Sequence, residues 1–257
     1  MKPSRKPPRH AVDISEEAGI RYLHFGSDWV QGAMRIARPW SLALEYTREM
    51  MFGLLLRPPS ARPKKVLLIG LGAGSLAKFI YRHLPDCRVK AVEINPQVEF
   101  VAQQYFKLPW DPERLEVIIG CGADYLLSSR EYFDAILVDG FGPDGRPGVL
   151  DTAPFYQACR ARLSENGIFA VNLLREKGFS QSVERIREAF DGRMLTLPPT
   201  DSGNTIALAH AGEPAALSLD ELKSRAESLR AATRLNLLPT LRRLKSTLGT
   251  ADPRLIF

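Results

Sequence analysis

Cysteine is scarce in this chain, and its three copies, Cys87, Cys121 and Cys159, are scattered. An odd, dispersed set builds neither a disulfide framework nor a zinc pattern, so a reducing compartment is expected and a metal is not. Long apolar runs are missing as well, for nothing approaches the ~20 consecutive apolar residues of a membrane span. The opening MKPSRKPPRH is basic and proline-rich, yet no apolar segment follows it as in a secretory leader. These absences together lead us to expect a cytoplasmic protein without a membrane partner. A nucleic-acid motif is lacking too. The net charge is +6, from 35 basic and 29 acidic residues. Much of the excess sits at Lys2, Arg5, Lys6 and Arg9 in front and at Arg230, Arg234, Arg242, Arg243 and Lys245 behind. No aromatics interleave with these charges as on a strand-binding surface, so they read as solvated ends.

What is present is concentrated in one stretch, Val66 to Asn95, VLLIGLGAGSLAKFIYRHLPDCRVKAVEIN. An apolar run meets a glycine cluster (Gly70, Gly72, Gly74), a helical pattern follows, and a second apolar run ends in Glu93. That is strand, tight turn, helix and parallel strand with a carboxylate at its tip. Glycines let backbone approach a ligand, and the helix start near Ser75 turns its N–H groups and positive dipole end toward it. The turn reads both as GxGxG, common around S-adenosylmethionine (SAM), and as the GxGxxA form of a dinucleotide site. Without the acid it would also suit a tight turn holding nothing. Glu93, about twenty residues on, is placed to accept both hydroxyls of a ribose. A nucleoside pocket is the expectation.

The rest of the chain organises around that unit. Residues 1–10 form a basic tail expected to be disordered, and 11–62 a small N-terminal region. There, strands are predicted at Ala11–Ser15, Ile20–Phe25 and Trp29–Ile36, with a hairpin turn at Gly26-Ser27-Asp28. A helix with body SLALEYTREMMFGLLL follows, Ser41 serving as its N-cap, until Arg57-Pro58-Pro59 stops it. Residues 63–213 alternate strand and helix. Strands are predicted at 66–70, 89–94, 115–120, 134–139 and 167–173, and helices at 75–84, 96–106, 122–129, 152–164 and 179–190. This is a Rossmann-like α/β pattern with a parallel sheet covered on both faces. Met194–Leu197 and Thr205–Ala209 are joined too closely to cross over, so that final pair should be antiparallel. A dinucleotide dehydrogenase would keep its last strand parallel. Residues 214–257 read as a helical, basic extension. It has a capping box at Ser218 and Glu221 and a stripe of Leu222, Ala226 and Leu229, then Leu238, Leu241, Leu244 and Leu248. The stripe packs on the body or on a second subunit. With the N-terminal hairpin as the other candidate surface, a homodimer is expected.

From about Ile20 to Ala209 the chain resembles the spermidine synthase (polyamine aminopropyltransferase) family. The resemblance lies in WVQGAM, the helix ending REMM, VLLIGLGAG, VKAVEINPQVEFVAQQYF, LEVIIGCGADYL, FDAILVDGFGP and SGNTIAL. The N-terminal β region is shorter than that family usually carries. The resemblance implies a SAM-transferase fold and a cosubstrate that is decarboxylated SAM or SAM itself, with no metal. It also implies a small-molecule acceptor such as an amine. By the same resemblance Gln31 touches the nucleoside, and the Gly70, Gly72 and Gly74 loop lines the ribose and aminopropyl side. Glu93 holds the ribose, Cys121 and Gly122 stand at the adenine, and Asp139 binds and deprotonates the attacking amine.

Several positions depart from the family pattern, and the chemistry says why that matters. An alkyl amine with a pKa near ~10 is protonated at neutral pH and cannot attack until a carboxylate takes its proton. Here the DSSD-type motif reads Asp139-Gly140-Phe141-Gly142, the loop acid is Ala73, and the adenine-reading acid is Cys121. The tyrosine and neighbouring side chain expected before Glu49-Met50 are Thr47 and Arg48, with Tyr46 one helical step, about 100°, away. Asp124 and Asp144 are the acids nearest to compensating. Ordinary aminopropylation of putrescine is therefore expected to be poor. A SAM-dependent methyltransferase and a non-catalytic nucleoside-binding scaffold stand as the alternatives.

Overall fold

The computed structural model describes residues 11–26, 29–142, 146–213, 216–247 and 254–256. The basic tail, Ser27 and Asp28 of the predicted hairpin turn, Asp144 and Leu248 lie outside them. The chain opens with an antiparallel sheet of β1 (Asp13–Glu17), β2 (Ile20–His24) and β3 (Gly32–Arg35). Two short helices follow, α1 (Glu45–Met50) and α2 (Gly53–Leu56). The single long helix predicted from Ser41 is thus corrected. Ser41 turns its hydroxyl back to the Arg38 carbonyl instead of capping, and the helix starts at Glu45 and breaks at Met51-Phe52.

The alternating section follows as β4 (Lys65–Ile69), α3 (Ser75–His83), β5 (Arg88–Glu93), α4 (Pro96–Phe106), β6 (Leu115–Ile119), α5 (Gly122–Ser128) and β7 (Phe133–Val138). Then come α6 (Ala153–Ala161), β8 (Leu163–Leu174), α7 (Phe179–Ala189), β9 (Met194–Thr196) and β10 (Asn204–His210). The helix predicted to reach residue 164 ends at Ala161, because Leu163 already pairs with Phe133 and lengthens β8. Among the described residues the central sheet has the order β6-β5-β4-β7-β8-β10-β9. β4 to β8 run parallel, and β10 is inserted antiparallel between β8 and β9. That antiparallel insertion is what the short link before β10 required, and it sets the sheet apart from one whose last strand is parallel.

Both faces of the sheet are buried, so its central strands read as nearly continuous apolar runs. Along β4, Val66 and Leu68 join one core cluster while Leu67 and Ile69 join the opposite one, following the two-residue period of a strand. Beyond the sheet lie β11 (Ala216–Ser218), α8 (Leu219–Thr233), α9 (Leu238–Thr247) and β12 (Arg254–Ile256). Ser218 and Glu221 do form the capping box. Leu222, Ala226, Leu229, Leu241 and Leu244 are buried in the same cluster as Val66 and Leu68. These leucines of the stripe therefore pack on the body. No helix among the described residues is long and apolar enough to cross a membrane.

Candidate active site

In an open α/β sheet, ligands gather at the carboxyl ends of the strands where the strand order reverses. Here that point lies between β4 and β7. The strand tips are laced together by backbone bonds: Gly120 to the Glu93 carbonyl, Gly70 to Val92 and Asp139 to Ile69, each at 2.8–2.9 Å. Gly70 has φ +92°, and a Cβ there would lie 2.1 Å from the Asp139 carbonyl oxygen. Only glycine lets the loop after β4 pass that close to the tip of β7. A cavity of about 850 Å³ opens above these tips.

One end of the cavity is apolar with a buried acid. Val92, Ile94, Ile69 and Cys121 line it together with Trp29 and Val30 of the segment before β3. Glu93 sits on this wall, 6% exposed. Its Oε2 accepts the Leu71 N–H and its Oε1 the Asn95 N–H, both at 2.9 Å. Burial raises its pKa, while these backbone donors and those of Ile94 and Gly72 pull the other way. A carboxylate has about four lone-pair sites, so acceptor capacity remains after two backbone bonds. Glu93 is at once the buckle of the glycine loop and an acceptor facing the cavity.

The other end centres on Asp139, which follows the tip of β7. Its Oδ2 accepts the Tyr46 hydroxyl at 3.1 Å and its Oδ1 the Asn172 amide at 3.0 Å. Burial raises the Asp139 pKa, opposed by both donors, and the Tyr46 phenol is pushed well above its usual value by burial and by the Asp139 charge. Asn172 is held in turn, since its Oδ1 accepts from Asn204 Nδ2 at 2.9 Å and Asn204 Oδ1 accepts from Ser202 at 2.8 Å. The sheet register explains the pairing. Ile206 lies opposite Asn172 across β10 and β8, so Asn204 is its diagonal neighbour on the same face. Glu176 and Arg146 complete this end. A half-buried carboxylate on the cavity wall suits proton removal from an incoming nucleophile.

The model of the spermine/spermidine synthase domain matches residues 45–200. The chain belongs to that family. A polyamine aminopropyltransferase of Neisseria meningitidis serogroup A is 41% identical over 237 residues, spanning 92% of this chain and 89% of its own. Two solved structures share the fold with TM-scores of 0.66. One is human methyltransferase-like protein 13 in complex with SAH, 26% identical, covering 82% of this chain and 97% of that one. The other is a spermidine synthase in complex with the transition-state analogue AdoDATO, 24% identical, covering 90% and 84%. The spermidine synthase relationship makes this chain a transferase by family.

The structure brings Gln31, Gly70, Gly72, Glu93, Cys121, Gly122 and Asp139 to one cavity. Gly74 does not line it. With φ +65° it is the left-handed cap of α3, and a Cβ there would press on Leu108 at 2.8 Å. Ala73 is buried beneath Gly32 and does not line the wall, so no carboxylate enters the cavity from the glycine loop. Arg48 does not line the cavity and donates to the Leu42 and Ala43 carbonyls. Asp124 is exposed on α5 and away from the wall. Four residues went unassigned in the sequence: Tyr46, Asn172, Asn204 and Glu176. Tyr46 stood one step from the family position, and α1 is rotated so that it, rather than Thr47, meets Asp139. The asparagines left only a faint signal, a polar residue inside each of two apolar strands, NLL and SGNTIAL.

Proposed function

We propose that the protein transfers the aminopropyl group of decarboxylated SAM to an amine that is not a simple diamine. The observation that carries this is the half-buried Asp139 carboxylate, held by Tyr46 and Asn172 on the wall of the cavity that also holds Glu93. The residues fit such a cosubstrate. Glu93 supplies acceptors for the ribose diol, and Val92, Ile94 and Cys121 supply a flat apolar bed for the base. Bound there, the sulfonium provides an activated carbon and a neutral thioether leaving group. In the step itself the amine gives a proton to Asp139 and its lone pair forms a bond to the carbon beside sulfur. The carbon–sulfur pair leaves with sulfur as the thioether. Removing the amine proton is worth on the order of 10²–10⁴ in rate.

The acceptor's far end would meet the cavity-lining Asn204, Ser202 and Leu174, which are neutral, and the exposed Glu176. Among the described residues a second ammonium would meet no carboxylate there but the exposed Glu176, which disfavours putrescine. The test is an assay with decarboxylated SAM against putrescine and against a monoamine of equal length. Preference for the monoamine supports the reading, and putrescine turnover near the median enzyme rate of roughly 10 per second would sink it.

A second reading is methyl transfer from SAM. It is favoured by the likeness to human methyltransferase-like protein 13 and by Ala73, which leaves no loop carboxylate to repel that of SAM. Product analysis with SAM in the same assay separates the two.

A further inference from the structure

Helix α1 has six residues, and its N-cap Leu44 makes no side-chain cap bond. So short a helix is not stable alone, and its orientation is decided by what grips it from outside. Tyr46, the donor to Asp139, is carried on this helix. Glu45 and Glu49 lie four apart and so share a different face. That face meets α9, close to two hundred residues later in the chain. Arg243 Nη1 donates to Glu45 Oε1 at 2.6 Å, and Nη2 donates to Glu49 Oε1. Thr240 donates to the same Glu49 oxygen at 3.0 Å. The Glu49 side chain is fully buried, and its Oε2 has no hydrogen-bond partner among the described residues. Arg48 is committed to the Leu42 and Ala43 carbonyls, so Arg243 is the cation bonded to this acid. Taking Arg243 away unties Glu45 and Glu49 from its guanidinium and leaves the buried Glu49 only the Thr240 hydroxyl, so that above about pH 7 an ionised carboxylate is stranded. The relief open to α1 is to roll Glu49 toward water, and that roll carries Tyr46 off Asp139.

We propose that Arg243, supported by Thr240, is a positioning residue: through Glu45 and Glu49 it clamps α1 so that the Tyr46 hydroxyl stays on Asp139. Neither Arg243 nor Thr240 lines the cavity. The C-terminal helices thereby belong to the acceptor end of the site. The kinetic consequence rests on the proposed role of Asp139, whereas the structural one does not.

The test uses the full chain labelled with 3-fluorotyrosine. The fluorine resonance missing from Tyr46→Phe identifies Tyr46. Arg243→Gln is expected to move that resonance toward the position of free tyrosine. Thr240→Val, which removes one neutral bond and keeps the side-chain shape, moves it less in the same direction. Arg242→Gln, on the exposed side of α9, leaves it in place. In turnover, Arg243→Gln lowers kcat by on the order of 10- to 100-fold with the nucleoside KM unchanged, and Arg243→Lys recovers part of the loss. A Tyr46 resonance unmoved in both Arg243→Gln and Thr240→Val overturns the clamp. A moved resonance with full kcat overturns its role in the reaction. If the unaltered protein turns over no amine, the functional reading fails while the resonance still decides the clamp.

Discussion

The two ends of the cavity are built in different ways. The end around Glu93, proposed for the nucleoside, is mostly local: Gly70, Gly72, Glu93 and Cys121 come from consecutive strand–turn–helix units at the tips of β4, β5 and β6, and Trp29 and Val30 join them from the segment before β3. Its key acid is fixed by backbone donors of its own loops. The end around Asp139, proposed for the acceptor, is assembled at long range. Tyr46 reaches Asp139 across 93 positions, Asn204 reaches Asn172 across 32, and the helix carrying Tyr46 is held from α9 across 194. A locally built end retains its geometry when side chains elsewhere change. An end assembled from distant side chains can be retuned by altering a few of them. By the family resemblance, the three loop glycines and Glu93 keep the pattern, while departures fall at both ends: Ala73 and Cys121 around the first, Gly142 and Thr47 around the second.

The contrast breaks first, and by most, at Asp139. Asp139→Asn should lower turnover by on the order of 10²–10⁴ while nucleoside affinity stays near its starting value. Equal losses in single-turnover rate and in calorimetric affinity would show that the ends are not separate. Next comes Glu93. Its contact with a ribose diol is a pair of charge-assisted bonds at about 1.5–3 kcal/mol each. Glu93→Ala should therefore weaken methylthioadenosine binding at least about tenfold. The melting temperature should fall as well, since Leu71 and Asn95 lose their acceptor. A 2′-deoxy ligand should bind more weakly to the unaltered protein but lose little on Glu93→Ala; equal losses on both proteins would refute the ribose contact.

Smaller effects sharpen the acceptor end. Tyr46→Phe removes a donor that favours the charged Asp139, so the Asp139 pKa rises. The acidic limb of the pH–rate profile should move to higher pH, toward more of the base being protonated. A limb that stays put or moves to lower pH would mean that Tyr46 does not support Asp139. Smallest is a stability effect far from either ligand. Burial holds the Glu49 pKa up at about 7, against an ordinary 4.5. The folded protein thus binds a proton more tightly than the unfolded chain. The stability that Glu49 contributes is full below pH 4.5, declines as pH rises, and is gone above about 7. Denaturant titrations of the unaltered protein and Glu49→Gln should converge at low pH and separate across that window, with the variant the more stable above it.

Much of the fold was legible because periodicity and turns are local signals. The α/β alternation, the antiparallel last strand and the capping box at Ser218 needed only runs of a few to some twenty residues. Helix α1 was misread for a physical reason. SLALEYTREMM has good helical propensity throughout, yet Ser41 bonds back to Arg38 and the chain turns at Met51, so tertiary packing overrides propensity. That shift is also why Tyr46 was set aside.

By itself the sequence determined the glycine turn, the acid at the tip of β5, the aspartate after β7 and the alternation of strands and helices around them. Each follows from residues adjacent in the chain and from sterics that hold in any context. Only the tertiary structure decided which tyrosine meets Asp139, that two asparagines orient it, and that an arginine near the end of the chain holds the helix between them. Those contacts join residues whose order along the chain says nothing about their distance. They exist because β10 inserts beside β8 and α9 lies against α1, and packing of the whole core settles both.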